Sequence, residues 1–468
     1  MLISAEFELP AVTTNNIGGL EAVHPDVFQK VWKELNQIGW ERTAFGAHRA
    51  LADAPIDCVS AEQVISTDSG PTIEIAPTPA LSIKEIQRQL IDVCSILRPL
   101  LEKQNVILLG SGVNPALGTS RDEYYLYRTP RPAYDYAIKQ RGWQHGSIIN
   151  IAATQEVIDV PFEKSIRVLN FMYRIAGVIL FLFRNDPDFT GQYGGRLSIR
   201  PEAWKRHVPY FGHFKNDRYK VCLPSNQITS WNEYLALLWE NNPMFVLGTK
   251  NSGLVFIKDH PSFWEFITKA PAGGWETESI ETGQRAFLQP EFNHLVQTDW
   301  TYMGFARLRW LWKDNVSLSD LISARQNGKI DEFFSENLKK VLIENRSTAT
   351  QPPGEELSSL AFVVGLLAEF EKSEKLANSR PYSFWLALAH EAEFAPLRST
   401  FDGVYVPALV RAFLEIALEG LASRNLDEKI FLLPLFQRLV DGLSPSERSL
   451  QTFKDGGMAA VIEKLELV

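Results

Sequence analysis

The first third of the chain contains short runs in which apolar and polar residues alternate, a pattern that predicts β-strands. Residues 1–10 alternate around "SAEFELPA", and residues 71–79, "PTIEIAPTP", alternate until prolines end the run. The apolar run "VILLG" (106–110) predicts a buried strand, and "GSIINIAAT" (146–154) predicts another. We therefore expect four strands in this part of the chain.

Helical spacing of apolar residues occurs at 27–39 and again after Ser82, where Ser82 and Glu85 have the spacing of a capping box. A third predicted helix, at about 161–184, contains the apolar run "AGVILFLF". A helix that crosses a bilayer needs about 20 apolar residues. This run is shorter and has arginines on both sides, so it predicts a buried helix.

The character of the chain changes at about residue 331, after which segments with helical spacing dominate. Residues 347–356, "STATQPPGEE", are polar and contain two prolines, so they predict a surface connection. We therefore expect an α+β domain over residues 1–330 and a mostly helical C-terminal region over residues 331–468.

Composition limits the classes of protein that the chain can belong to. Of its 468 residues, 45% are hydrophobic and 22% are charged, which is typical of a globular protein. The formal net charge of −9 disfavours a partner such as duplex nucleic acid. The three cysteines are far apart, which predicts neither disulfides nor a zinc site. With no basic and apolar leader at the N-terminus, we expect a cytoplasmic protein without a membrane partner.

Two carboxylates share one face of the first predicted strand. Because side chains alternate along a strand, Glu6 and Glu8 point one way and Phe7 points the other. Carboxylates about 7 Å apart repel each other unless a cation lies between them. Mg²⁺ prefers oxygen ligands, and Glu74 in "TIEI" would suit the same site. The alternative is an ordinary solvent-exposed strand face.

Three further segments contain residues suited to binding, each with an ordinary structural alternative. The turn "GSGVNP" (110–115) follows a strand but lacks a full phosphate-binding pattern. Arg196 and Arg200 in "GGRLSIRPEAW" suit a carboxylate or phosphate, although surface arginines are common. His145 in "GWQHGS" is either a metal ligand or a hydrogen-bonded structural histidine.

The order of these segments resembles the glutamate–cysteine ligase family, the carboxylate–amine ligases related in fold to glutamine synthetase. The first-strand "EFE" is similar to the family's paired metal-binding glutamates, and "GPTIEIAPTPALSIKEIQRQL" to its second acidic strand and the helix that follows. "VILLGSGVNP", "EYYLYR", "GSIINIAATQE", the block ending in "LSIRPEAW" and "QTDWTYMGFARLRWLWKD" follow in the family's order. The resemblance covers roughly residues 4–375.

The resemblance implies a fold and an activity. Residues 1–330 would form a catalytic domain, a curved antiparallel sheet flanked by helices as in glutamine synthetase. ATP with Mg²⁺ would phosphorylate a substrate carboxylate, and an amine would attack the acyl phosphate to form an amide. Glutamate and cysteine are the default small-molecule substrates, as in glutathione biosynthesis. Glu6, Glu8 and Glu74 would hold the metal that carries ATP, and Arg200, with Arg128 as a second candidate, would bind the carboxylate substrate.

Two positions depart from the family's pattern. In the register assigned here, Ile148 stands where the family usually has glutamine, and Lys313 stands where it has glutamate. These losses favour an alternative, a catalytically impaired member that binds nucleotide or amino acid or acts in regulation. An unrelated α+β protein with acidic strand faces is the third hypothesis. The three acids on apolar strands favour the active ligase.

Overall fold

A computed structural model describes most of the chain. The described residues are 1–14, 19–42, 48–51, 62–144, 147–208, 214–248, 253–297 and 304–467.

The described strands, in chain order, are β1 (Ile3–Thr14), β2 (Leu20–Ala22), β3 (Glu41–Arg42), β4 (His48–Leu51), β5 (Glu62–Thr67), β6 (Thr72–Ala76), β7 (Val106–Leu108), β8 (Ala153–Val160), β9 (Val246–Leu247), β10 (Leu254–Ile257), β11 (Trp275–Ser279), β12 (Arg285–Leu288), β13 (Ala306–Trp312), β14 (Leu338–Ala349), β15 (Thr400–Phe401) and β16 (Val404–Tyr405). Ten of them form one sheet in the order β13-β14-β8-β1-β6-β5-β4-β3, with β2 and β7 also paired to β1. All of its strand pairs are antiparallel.

The described helices are α1 (Pro25–Gln37), α2 (Ile83–Glu102), α3 (Arg121–Tyr127), α4 (Pro132–Arg141), α5 (Ser165–Phe183), α6 (Arg200–His207), α7 (Trp231–Trp239), α8 (Phe263–Thr268), α9 (Leu318–Gln326), α10 (Ile330–Asn337), α11 (Ser358–Ala368), α12 (Phe370–Ala377), α13 (Tyr382–Glu391), α14 (Val406–Arg424), α15 (Leu433–Asp441) and α16 (Pro445–Leu465). The large antiparallel sheet, its flanking helices and the mostly helical C-terminal region confirm the predicted fold class.

The N-terminal strand β1 lies in the middle of the large sheet. Phe7 of β1 stands opposite Ile75 of β6 on one side and Thr154 of β8 on the other. Ala5, Phe7 and Leu9 are buried against the helical layer that includes α2. The alternation seen in the sequence therefore separates a core face from a second face, which carries the acidic residues of β1.

The apolar helix α5 belongs to the core. Together with the turn before it, at Phe162–Phe183, it is long and apolar enough to cross a membrane by length and composition, but 83% of its apolar window is buried within the protein. It packs against α13 and β14. The prediction of a buried helix is confirmed.

Two glycines let the C-terminal helices α11 and α14 cross at close range. A Cβ added at Gly365 would lie 2.3 Å from the carbonyl oxygen of Ala417, and one added at Gly420 would lie 1.9 Å from the carbonyl oxygen of Gly365. Neither approach is compatible with a side chain. The two helices therefore pack backbone to backbone at this point.

The strand predicted at 146–154 is wrong over its first half. Residues 147–150 form a short 3₁₀ turn, and β8 begins at Ala153. The backbone here bonds to the glycine-rich turn instead of to a strand, since Asn114 N donates to Asn150 O and Ala152 N donates to Gly112 O. The turn also packs directly against the backbone of Gly70, because a Cβ added at Gly70 would lie 2.2 Å from Ile149 O.

One strand of the large sheet comes from beyond residue 330. β14 pairs with β13 on one side and with β8 on the other. The surface connection predicted at 347–356 is wrong for residues 347–351, which are buried because β14 and the chain after it run through the interior. The division of the chain at residue 330 stays a prediction. A catalytic domain that ended at residue 330 would lack the strand β14.

Candidate functional site

A cavity of 240 Å³ lies on the polar face of the large sheet. Its lining contains four carboxylates, from Glu6, Glu8, Asp68 and Glu74, and two guanidinium groups, from Arg200 and Arg346. Its other side is apolar and includes Trp143, Ile148, Ile151, Met244 and Phe245. The three glutamates singled out in the sequence, and Arg200, therefore lie in one cavity.

The register of the sheet brings the acidic residues together. Glu8 of β1 stands directly opposite Glu74 of β6, and Glu6 stands opposite Gln155 of β8. Residues opposite each other in antiparallel strands have their Cβ atoms about 4.5–5.5 Å apart. Glu74 also accepts a hydrogen bond from Ser66 Oγ on the neighbouring strand, at 3.1 Å. Like charges are thus held close by the strand pairing itself.

Burial and neighbouring carboxylates raise the pKa of all three glutamates. Burial and then Asp68 raise the pKa of Glu8 to about 7, although Arg200 and Arg346 oppose the shift. The pKa of Glu6 is raised by burial and by Glu344. That of Glu74 is raised well above its ordinary value by burial and by the neighbouring carboxylates. The cavity therefore holds carboxylates whose ionisation is costly when no cation is bound.

Protein donors engage the carboxylates in the present arrangement. Glu8 accepts hydrogen bonds from Ala153 N, at 2.6 Å, and from Gln155 Nε2. Arg309 Nη1 lies 3.9 Å from Glu6 Oε1. Among the residues that the structure describes, no three acidic, histidine or cysteine side chains are arranged to hold a metal ion. A cation bound here would need these glutamates to turn toward it.

Arg200 is fixed at the start of α6 by a buried aspartate. Asp186 Oδ2 accepts hydrogen bonds from Arg200 N, at 2.8 Å, and from Ser198 Oγ, at 2.9 Å. Asp188 caps the following loop by accepting hydrogen bonds from Tyr193 N and Gly195 N. The "NDPD" sequence (185–188) therefore shapes the loop that delivers Arg200.

A second group of charges lies on β13 and β14, next to Glu6. Glu344 is wholly buried and pairs with Arg307 at 2.9 Å and Arg309 at 3.4 Å, and also with Arg346. Burial alone would raise the pKa of Glu344, but the three arginines hold it well below its usual range. Glu344 is therefore an ionised, fully paired acid, in contrast to Glu8.

Sequence reasoning missed Glu344, Arg346, Gln155 and Asp68. Glu344 and Arg346 alternate in "LIENRST", a signal of the same kind as "EFE", but they lie in the part of the chain predicted to be helical. Gln155, seven residues after Ile148, also lines the cavity, so the cavity contains a glutamine side chain although Ile148 is apolar. Asp68 lies in the turn between β5 and β6 and accepts a hydrogen bond from Tyr134.

Two other predicted site residues, Arg128 and Arg196, do not line the cavity. Arg128 pairs with Asp135 at 2.9 Å and lies beside the rings of Tyr124 and Tyr125, so its proposed contact with substrate is not supported by its position. Arg196 pairs with Glu202 and Glu393. His145 lies outside the described residues.

The two residues that depart from the family's pattern, Ile148 and Lys313, lie in different places. Ile148 does line the cavity, and it is buried there. Lys313 is exposed and donates to Glu336 O at 2.6 Å, away from the three glutamates. Lys313 lies just past the end of β13 and outside the cavity, so it adds no positive charge among the three glutamates.

Comparison with sequence families identifies the class of protein. The model of glutamate-cysteine ligase family 2 (GCS2) matches residues 31–464. The chain belongs to glutamate-cysteine ligase family 2, which confirms the predicted family. The match begins after β1 and so does not include Glu6 and Glu8. A comparison with curated proteins finds no match.

Two solved structures are similar to the chain at low sequence identity. A bifunctional glutathione synthetase from Pasteurella multocida is 12% identical, with a TM-score of 0.47 over 98% of this chain and 51% of that one. The complex between the prokaryotic ubiquitin-like protein Pup and its ligase PafA gives 10% identity and a TM-score of 0.38, over 99% of this chain and 72% of that one. The chain thus spans about half the length of the Pasteurella protein.

Proposed function

We propose that this chain is an ATP-dependent carboxylate–amine ligase that forms an acyl phosphate, with glutamate and cysteine as its default substrates. The observation that carries the proposal is the cavity in which Glu6, Glu8 and Glu74 face Arg200 and Arg346. Family membership supports the class of reaction. The cavity supports the mechanism, because phosphoryl transfer to a carboxylate needs both cation-binding acids and fixed positive charges.

The acidic side of the cavity suits a divalent cation with oxygen ligands, such as Mg²⁺. Burial and neighbouring carboxylates raise the pKa of all three glutamates, and a bound cation would favour their ionised forms. When bound with ATP, Mg²⁺ supplies charge neutralisation on the transferring phosphoryl group. Glu6, Glu8 and Glu74 are the residues that would hold it.

The basic side of the cavity suits the substrate carboxylate. In the first step a carboxylate oxygen bonds to the γ-phosphorus of ATP and ADP leaves. In the second step the amine nitrogen bonds to the acyl carbon, loses a proton, and phosphate leaves. Arg200 would orient the carboxylate, because its backbone is fixed by Asp186 and its guanidinium acts on Glu8 across the cavity.

The cavity is too small for all of the substrates at once. Pockets that enclose a drug-sized ligand typically measure about 300–1,000 Å³, and this one measures 240 Å³. It therefore suits the reacting groups, with much of the nucleotide outside it.

Release of ADP and phosphate from mixtures of ATP, Mg²⁺, a candidate carboxylate and a candidate amine tests the proposal. We expect release that requires both acceptors and that is lost in Glu74→Gln. Glu163, an exposed acid that does not line the cavity, provides the matched control, and Glu163→Gln keeps full activity. Phosphate that stays at background with every mixture would refute the ligase assignment.

Ile148 favours a second candidate function, a nucleotide- or amino-acid-binding protein without turnover. Its apolar side chain lines the cavity and offers no polar group to a metal or nucleotide there. Calorimetry with Mg-ATP separates the two candidates. Micromolar binding without ADP release from any mixture would favour the binding protein, whereas turnover would exclude it.

A further inference from the structure

A second cavity lies on the opposite face of the large sheet. It measures 400 Å³, which is within the range of about 300–1,000 Å³ for ligand pockets. Its floor includes Phe7 and Leu9, the two residues that flank Glu8 along β1. One wall is α2, and the other is the chain at residues 350–357. We call it the rear cavity.

The interior of the rear cavity is mostly apolar. Phe7, Leu9, Leu90 and Leu357 contribute side chains to it. Thr154 also lines the cavity, and its hydroxyl is wholly buried and has no hydrogen-bond partner among the described residues. An unpaired buried hydroxyl is costly and is usually matched by water or by a ligand.

Two opposite charges also line the rear cavity. Arg98 Nη2 donates to the carbonyl oxygen of Leu467 at 3.3 Å, and Glu356 Oε1 accepts from Gly354 N at 2.8 Å. Within the described part of the chain, neither side chain takes part in an ion pair. Both act on Cys94, whose pKa burial and then Glu356 raise to about 11 while Arg98 opposes the shift. The two charges thus flank one thiol without neutralising each other.

We propose that the rear cavity binds a free α-amino acid with an apolar side chain. Its ammonium group would pair with Glu356, its carboxylate with Arg98, and its side chain would pack on Leu90 and Phe7. A purely apolar molecule would leave both charges unpaired, and a simple anion would be repelled by Glu356. A zwitterion with an apolar body satisfies both charges and the apolar wall.

Occupancy of the rear cavity would reach the candidate catalytic site through the sheet. The ligand would touch Phe7 and Leu9, whose backbone carries Glu8. Thr350 lines the rear cavity and its hydroxyl donates to Glu8 O at 2.5 Å. Thr154 precedes Gln155, whose amide donates to the Glu8 carboxylate. The amino acid therefore acts as a regulator of a ligase, although its binding does not depend on the proposed function.

Calorimetry with L-leucine and L-phenylalanine tests the inference on the full chain. We expect binding that is at least tenfold weaker for 4-methylpentanoate, which lacks the ammonium group, and for isoamylamine, which lacks the carboxylate. Arg98→Gln and Glu356→Gln should each weaken leucine binding at least tenfold. Arg98 and Ser95 are exposed on α2, so Arg98→Gln and the cavity-filling Ser95→Trp should both fold, as circular dichroism would verify.

An amino acid could also bind as a substrate in the catalytic cavity, which contains Arg200. The variant Arg200→Gln therefore distinguishes binding in the two cavities. Leucine binding that survives Arg200→Gln and is lost in Arg98→Gln and Ser95→Trp supports the rear cavity. Binding that is lost only in Arg200→Gln would overturn the inference and place the amino acid in the catalytic cavity. If neither amino acid bound at concentrations on the order of 10 millimolar, the inference would also be overturned. That result would not affect the outcome of the ligase assay.

Discussion

Replacing Glu8 by glutamine should abolish ligase activity and stabilise the protein at alkaline pH. Glu8 is 4% exposed, and its pKa rises from 4.5 to about 7 in the fold. A rise of that size corresponds to roughly 3 kcal/mol of folding free energy lost when the group is fully ionised. The amide avoids this cost but loses one of the hydrogen bonds from Ala153 and Gln155, which costs about 1 kcal/mol. The net gain at pH 8 is about 2 kcal/mol.

The sign of the effect depends on pH. For an acid whose folded pKa is raised, the folded state holds the proton more tightly than the unfolded state. The penalty is absent below pH 4.5, grows between pH 4.5 and 7, and is complete above pH 7. Glu8→Gln should therefore be more stable than the wild type at pH 8, and equal or slightly less stable at pH 5.

Urea denaturation at pH 5 and pH 8, run beside a phosphate-release assay, measures both parts of the prediction. Glu344→Gln is the matched comparison on β14. Its carboxylate is paired with three arginines, so removing the charge should cost about 3–5 kcal/mol at both pH values. Adding Mg²⁺ should stabilise the wild type at pH 8 and have a smaller effect on Glu8→Gln.

Two outcomes would refute the reasoning on Glu8. If the variant lost stability equally at pH 5 and pH 8, Glu8 would be an ordinary structural carboxylate held by its donors. If the variant kept its activity, the assignment of Glu8 to the metal would be wrong.

Three further variants test other parts of the structure. Arg309→Gln removes the cation that now lies 3.9 Å from Glu6, so Mg²⁺ should bind several-fold more tightly in calorimetry without nucleotide; unchanged or weaker binding would contradict this competition. Lys313→Ala should change kcat/KM less than twofold, because the side chain is exposed outside the cavity, and a tenfold loss would place it in the site after all. Gly420→Ala should destabilise the protein by about 1–3 kcal/mol in urea denaturation, because its Cβ would meet Gly365 O at 1.9 Å; a neutral result would show that the crossing can open.

The alternating acids of β1 and β6 were visible in the sequence because each lies on a short run of strand-forming residues. Because side chains alternate along a strand, the sequence placed Glu6 and Glu8 on one face. The order of the motifs then grouped them with Glu74 and Arg200 in one predicted site. The register that sets Glu8 opposite Glu74 depends on which strands pair. No local pattern in the sequence contains that information.

Arg346, which lines the cavity, and its neighbour Glu344 come from β14, a strand that local pattern could not assign. "LKKVLIENRSTA" follows directly on a short helix and precedes a long helical region, so its neighbours suggest helix. Its strand conformation depends on pairing with β8, about 180 residues earlier in the chain. The ion pair of Arg128 could not be predicted for a similar reason, because Asp135 lies on α4 and only the fold shows the two side chains in contact.

The central place of β1 also has a consequence for synthesis on the ribosome. β1 is made first, but its sheet partner β8 is itself completed by β14, about 320 residues later. At about 5–20 residues per second, the nascent strand waits roughly 16–65 seconds for the full sheet. Until β6 and β8 have been made, the edges of β1 are open to other chains, and Glu6 and Glu8 are the charges that interrupt a mostly apolar strand. The two carboxylates proposed to hold a metal in the finished protein would therefore also disfavour pairing of the nascent strand with other chains.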